Sequence, residues 1–371
     1  MSEFEIQNAP SDPVSAVVFP RDASSSRAAQ LLVASWDKTV RLYDLGGNAN
    51  PAEIPVLQTF LHDAAVLDVC WISDDLAASA SLDRRVRLLN LVTGQVMVLG
   101  KHDAAACRVR YDYATGLLVS ASWDASLKLW DPFVESAFLR ATVPLPAKVF
   151  AMDTTSVHMP RGAAADAPSR LVVAMAQRGI YVFDMGALRD ALDRGAGADA
   201  YVPEQRRESA LKFMLRDVRC MPNGSGFAAS SVEGRIAVEF FDPRDAENKY
   251  AFKCHRREID GIDVVYPINS LAFHPIYGTF ASAGGDANLA LWDPVAKKRI
   301  RQFTFPSPLS AATFNAAGDI MVIASGAENI EDAHHPGPDA GEVGGIGPGG
   351  HGHVHIHVRP ALHEARPKQR E

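Results

Sequence analysis

Leu118-Val119-Ser120-Ala121-Ser122-Trp123-Asp124-Ala125-Ser126-Leu127-Lys128-Leu129-Trp130-Asp131 has an earlier counterpart in Leu32-Val33-Ala34-Ser35-Trp36-Asp37-Lys38-Thr39-Val40-Arg41-Leu42-Tyr43-Asp44. Each reads as a short apolar strand, a polar Ser-Trp-Asp turn and an alternating strand that closes on an aromatic-Asp pair. Weaker copies span residues 78–90, 172–184, 229–242 and 281–293. The closing residues Asp44, Asn90, Asp131, Asp184, Asp242 and Asp293 are 46, 41, 53, 58 and 51 positions apart.

Those intervals sit at or just above the WD40 period of about 40–45 residues, with loop insertions accounting for the longer ones, and the units resemble that family. Innermost strands are expected at residues 16–19, 66–71, 107–111, 149–153, 217–221, 268–273 and 309–314. Seven inner strands mean an all-β, seven-bladed WD40 β-propeller. Its last blade needs strands at 321–325 and 354–358 and a fourth from the opposite end of the chain, Phe4-Glu5-Ile6-Gln7. Strands from both termini then close the ring, which removes exposed sheet edges. Residues 1–371 are read as one domain, with 333–352 as a Gly/Pro-rich loop inserted in the last blade.

Composition agrees: 47% of residues are apolar and 22% charged, enough to bury a large core. No apolar run approaches the roughly 18 residues of a membrane span, so a nuclear or cytoplasmic location is expected and no membrane contact. A net charge of −7 argues against direct nucleic-acid binding, which needs a basic surface. The four cysteines are scattered singly, without zinc-ligand spacing, and read as small buried hydrophobes.

Blade three offers a Ser, a His and an Asp that imitate a hydrolase triad: His102, Ser120 and Asp124, with Trp130 nearby. In a propeller they are better read as a buried hydrogen-bonded relay that pins the blade. With no nucleophile elbow, phosphate loop or metal-ligand cluster, no catalytic residue, cofactor or metal is expected. Residues 156–169, 186–203 and 334–352 read as surface loops. His351, His353, His355 and His357 alternate and share one strand face, yet the segment has no Cys, Asp or Glu to complete a tetrahedral set.

Two further features point to protein binding. The residue before the turn Asp faces solvent at the top rim, and in two blades it is tryptophan, Trp36 and Trp123, the commonest anchor type in interfaces. Between Glu204 and Arg257, assigned here to blade five, eleven Lys or Arg stand against eight Asp or Glu. They include Arg206, Arg207, Lys212, Arg216, Arg219, Arg235, Lys253, Arg256 and Arg257, which could converge on one anionic group or form a solvated basic face. In the same blade Glu239 takes the place of Trp130, so either a neighbouring Arg pairs with it or the blade packs differently.

Gln205-Arg206-Arg207-Glu208-Ser209-Ala210-Leu211-Lys212, Glu233-Gly234-Arg235-Ile236-Ala237-Val238-Glu239-Phe240-Phe241-Asp242-Pro243, Lys249-Tyr250-Ala251-Phe252-Lys253-Cys254-His255-Arg256 and Tyr266-Pro267-Ile268-Asn269 are more specific than a generic propeller. With the two Ser-Trp-Asp motifs they closely resemble the spindle-checkpoint propellers called budding uninhibited by benzimidazole, third member. The resemblance implies a non-enzymatic kinetochore adaptor, monomeric alone. It would hold the GLEBS segment of checkpoint kinases or pseudokinases through Trp36, Trp123 and Arg216. It would read phosphorylated Met-Glu-Leu-Thr repeats of a kinetochore scaffold through Arg235 and Lys253. The pattern departs from the family after Ile330, and blade two has Leu82 where blades one and three have Trp. The sister propeller of messenger-RNA export shares Glu233-Gly234-Arg235 and Phe252-Lys253-Cys254-His255-Arg256, whereas Arg206-Arg207-Glu208-Ser209 and 238–243 favour the checkpoint branch.

Overall fold

The computed structural model describes residues 3–46, 54–134, 138–158, 168–326 and 354–367. Seven four-stranded antiparallel sheets form the blades of a propeller. Their inner strands are Val14–Val18, Val66–Trp71, Ala106–Asp112, Val149–Thr154, Leu215–Cys220, Ile268–Phe273 and Leu309–Phe314. The first six blades are built from consecutive strands. The seventh runs Leu309–Phe314, Ile320–Ser325, His355–Pro360, then Phe4–Glu5, with Phe4 opposite Val358 and Glu5 opposite His357. Terminal strands therefore close the ring as expected. The expected loop at 333–352 lies outside the described residues.

Burial explains the strand order within a blade. Second strands such as Leu117–Ser122 are buried throughout, because both faces meet neighbouring blades. Outer strands such as Val56–Leu61 alternate between exposed and covered positions, as a half-buried strand should. The apolar core is divided into clusters that lie between blades: one joins Val69 and Leu89 to Val40 and Phe60, another joins Phe227 and Val218 to Val172 and Val182. Blades are thus glued face to face, and inner strands are also stitched edge to edge. The Ser15 hydroxyl donates to the Val66 carbonyl (2.6 Å), and Asp68 accepts from the Val109 amide (3.0 Å). Asp217 likewise accepts from the Leu271 amide (2.8 Å).

Two sequence expectations need correction. Residues 186–203 are not all loop, since Met185–Asp193 is an α-helix. Asp184 caps it by accepting from the Ala187 amide (3.0 Å), and Met185, Leu188 and Leu192 turn one apolar face into the core beside Phe183. The segment 156–169 also begins within a short helical turn, Thr155–His158, and 159–167 lie outside the described residues. Secondly, the basic segment is not one blade. Arg206 and Arg207 sit on Gln205–Glu208, the outer strand of blade four, and Arg256 and Arg257 begin a separate hairpin, Arg256–Ile259 with Ile262–Val265, between blades five and six. Charge that is contiguous in sequence is therefore spread over neighbouring blades.

Candidate functional site

The end of the ring at which second strands turn into third strands gathers the expected binding residues. Each turn is tied back to the start of its own inner strand. The Trp36 amide donates to the Pro13 carbonyl (3.0 Å), that of Leu82 to Ala65 (2.9 Å), and that of Trp123 to Ala105 (3.1 Å). With its backbone spent in this way, the side chain is left outside. Trp36 is 48% exposed, Leu82 37% and Trp123 37%. Leu82 thus keeps blade two apolar at the position that lacks an indole. Phe213 and Met214, exposed just before the inner strand of blade five, add to the same end, because the Met214 carbonyl accepts from the Val232 amide (3.1 Å). They were missed in the sequence because they fall in no repeat position. Exposed apolar groups grouped on one face mark an interaction surface.

Arg216 lies at a register shift between Leu215 and Asp217, half-buried, with Nε donating to Asn269 Oδ1 (3.1 Å). Arg235 and Lys253 are direct cross-strand partners on the third and outer strands of blade five, so their side chains share a face. The turn before Arg235 demands glycine: Gly234 has φ +65°, and a Cβ there would stand 2.5 Å from the Cys254 carbonyl. Lys253 has no acidic partner among the described residues. It lines a cavity of about 270 Å³ with Arg257, Arg299 and Trp292, while Arg235 stands outside that cavity, near Glu233 (3.4 Å).

The relay of blade three is present in full. Trp130 Nε1 donates to Ser120 Oγ (2.8 Å), Ser120 reaches His102 Nε2 (2.7 Å), and His102 Nδ1 reaches Asp124 Oδ2 (3.0 Å). Because carboxylate only accepts, the Asp124 contact puts a proton on His102 Nδ1, and Ser120 Oγ, which accepts from the indole, can donate to Nε2 of the neutral ring. Burial lowers the His102 pKa against the pull of Asp124. Burial would raise that of Asp124, but hydrogen bonds from Ser126, the Asp103 amide and His102 outweigh it and hold the carboxyl low. Ser120 is fully buried with its oxygen engaged by Trp130, so no substrate can reach it.

Blade six holds a second relay that the sequence reading missed: Trp292 to Ser282 (2.9 Å), Ser282 to His255 (2.7 Å) and His255 to Asp286 (2.8 Å). The hairpin inserted after His255 places it 27 residues before its serine, against 18 in blade three, which hid the match. Blade five has no relay. Ser209, Ala229 and Glu239 occupy the relevant places, and Glu239 pairs with Arg207 of blade four (3.4 Å). A neighbouring Arg is thus the answer to the buried carboxylate, although burial still raises the Glu239 pKa against the opposing effect of Arg207.

All four cysteines are buried free thiols, Cys70 and Cys107 with pKa pushed up to about 12 by burial. His351 and His353 lie outside the described residues. His355 pairs with Glu5 (2.7 Å) and His357 meets Ser325 (3.2 Å). Among the described residues no three ligating side chains converge as a metal site, and no helix is long and apolar enough to cross a membrane.

Comparison with known proteins matches the family "WD domain, G-beta repeat" over residues 4–44, 94–131 and 252–293. The chain is 42% identical over 327 residues to "Mitotic checkpoint protein BUB3.1" of Arabidopsis thaliana, covering 86% of each chain. It is 34% identical to "Mitotic checkpoint protein bub3" of Dictyostelium discoideum, over 87% of this chain and 88% of the other. A "Poly(A)+ RNA export protein" of Schizosaccharomyces pombe is 33% identical over 87% of this chain and 83% of its own length.

Proposed function

The chain belongs to the BUB3 family of WD40-repeat mitotic checkpoint proteins, and from that premise we propose that it is a non-enzymatic adaptor of the spindle assembly checkpoint, acting at kinetochores in the nucleus and present also in the cytoplasm. The exposed apolar strip Trp36, Leu82 and Trp123, with Arg216 at the start of the inner strand of blade five, carries this reading. An extended GLEBS segment from a checkpoint kinase or pseudokinase lays apolar side chains on the tryptophans and an acidic one on Arg216.

Arg235 and Lys253 receive the phosphothreonine of a kinetochore scaffold repeat. Phosphate brings about −1.5 to −2 charges and three acceptor oxygens, so cations on paired strands make phosphorylation the switch for docking. The test is fluorescence anisotropy with a labelled GLEBS peptide and with Met-Glu-Leu-Thr peptides, phosphorylated and not. Trp36→Ala with Trp123→Ala should abolish GLEBS binding, and Arg235→Glu or Lys253→Glu should abolish the phosphate-dependent signal. GLEBS binding without any phosphopeptide response moves the protein to the messenger-RNA export branch, to which its 33% identical relative belongs.

A further inference from the structure

The inner strands of blades two to five carry a charged wall in which arginines and aspartates pair. Arg110 of blade three reaches Asp68 of blade two (2.6 Å) and Asp153 of blade four (3.1 Å). Arg219 meets Asp217 within blade five (2.9 Å). Asp68, Asp153 and Asp217 each also accept a backbone amide from the next blade's inner strand. Charges taken from water are matched, as they must be.

Arg108 has no such carboxylate partner among the described residues. It follows a register shift in the inner strand of blade three and stands opposite Ala121. The same register position in blades two, five and six holds Asp68, Asp217 and Ser270, which accept an amide from the following blade. Arginine cannot accept. Its Nη1 donates to the Cys107 carbonyl (2.8 Å), and among the described residues it has no acidic partner. It is half-buried, and it lies three positions after Ala105, the residue that anchors the Trp123 turn. A guanidinium without a carboxylate partner therefore lies on the same inner strand that anchors one end of the tryptophan strip.

We propose that Arg108 is a second cation of the segment-binding face and takes a carboxylate from the docked segment. The segment that fits this chain then presents two acidic side chains, one toward Arg216 on blade five and one toward Arg108 on blade three. The inference rests on the reading of this end of the ring as a segment-docking surface. Charge complementarity selects the occupant: an apolar chain alone would cover the tryptophans but leave Arg108 desolvated and unpaired.

The experiment titrates wild type, Arg108→Ala, Arg108→Gln and Trp123→Ala with a labelled GLEBS peptide and with versions in which each acidic residue is changed singly to glutamine. A lost charge-assisted pair should weaken the parent peptide about tenfold. The Arg108 variants should also stop distinguishing the parent from one of its single-glutamine versions. If both Arg108 variants bind every peptide as wild type does while Trp123→Ala fails, docking stands and the role of Arg108 is refuted. If Trp123→Ala also binds normally, the docking surface itself is elsewhere. Competition with inorganic phosphate at constant ionic strength separates the sources: Arg108-dependent phosphate binding with no effect on peptide affinity would make this a small-anion site and overturn the proposal.

Discussion

Blades three and five solve the same packing problem with opposite chemistry. At one register position, opposite Leu118 in blade three and Phe227 in blade five, the chain puts Trp130 in one and Glu239 in the other. Blade three is pinned from within by a neutral relay that ends on its own Asp124. Blade five is pinned from outside, by Arg207 on the outer strand of blade four. The neutral lock accompanies a blade with one exposed anchor, Trp123. The ionic lock accompanies the blade that pairs two cations across its third and outer strands, the half-buried Arg235 and the exposed Lys253. Blade five lacks the relay found in blades three and six, and its seam depends on the neighbour.

The contrast can be broken most forcefully at Trp130. Its indole is 1% exposed and packs on Gly100 of blade two, so Trp130→Ala removes both the packing and the donor to Ser120. A loss of about 3–5 kcal/mol is expected, read as a lowered midpoint in urea. Arg207→Ala comes next. It leaves Glu239 buried without its partner, and about 1–3 kcal/mol should go, less than for a fully buried pair because Arg207 is partly exposed. Adding Glu239→Gln to that variant should restore most of the loss; if it does not, the Arg207 stem rather than its charge holds the seam.

Acid should then separate the two blades by sign. The His102 pKa is lowered on folding, so the relay's contribution is full above about pH 6.5 and is lost as pH falls below it. The Glu239 pKa is raised, so its burden is absent near and below its ordinary value of about 4.5 and grows as pH rises. Hydrogen exchange corrected for intrinsic rates, at pH 5 against pH 8, should show protection falling in Leu117–Ser122 and rising in Gly226–Ser231. Parallel changes in both strands would sink the comparison. The smallest effect is Glu239→Gln alone, expected to raise Tm by about 1–3 °C at pH 7.5 and to leave it unchanged near pH 4.

What the sequence disclosed and what it hid follow one physical line. Blade number, the closing terminal strands and the blade-three relay were legible because their residues recur at the repeat interval. Met185–Asp193 was obscured by glycines and alanines that mask its apolar spacing. The blade-six relay was hidden by an insertion, and Arg207 by the third dimension: it lies 32 residues before Glu239 and on another sheet. Arg108 needed both register and partner counting. Only the structure reveals that its register-mates in blades two, five and six are acceptors. Phe213 and Met214 carry no pattern at all, being exposed by a turn rather than by periodicity.

The seam that completes the ring also sets a timetable. Glu5 and its hydrogen-bond partner His355 are 350 positions apart, and at about 5–20 residues per second the first strand must wait roughly half a minute for its mate to be synthesised. Until then blade seven lacks its third and fourth strands, and the apolar cluster that holds Ile6 and Val14 is missing Ile356 and Val358. Blades one to six can assemble as they emerge, but the circle is finished only once His355–Pro360 has left the ribosome. Nascent chains stalled before residue 355 should therefore present one unsealed flank to chaperones, and the finished protein should lose that affinity in a single step.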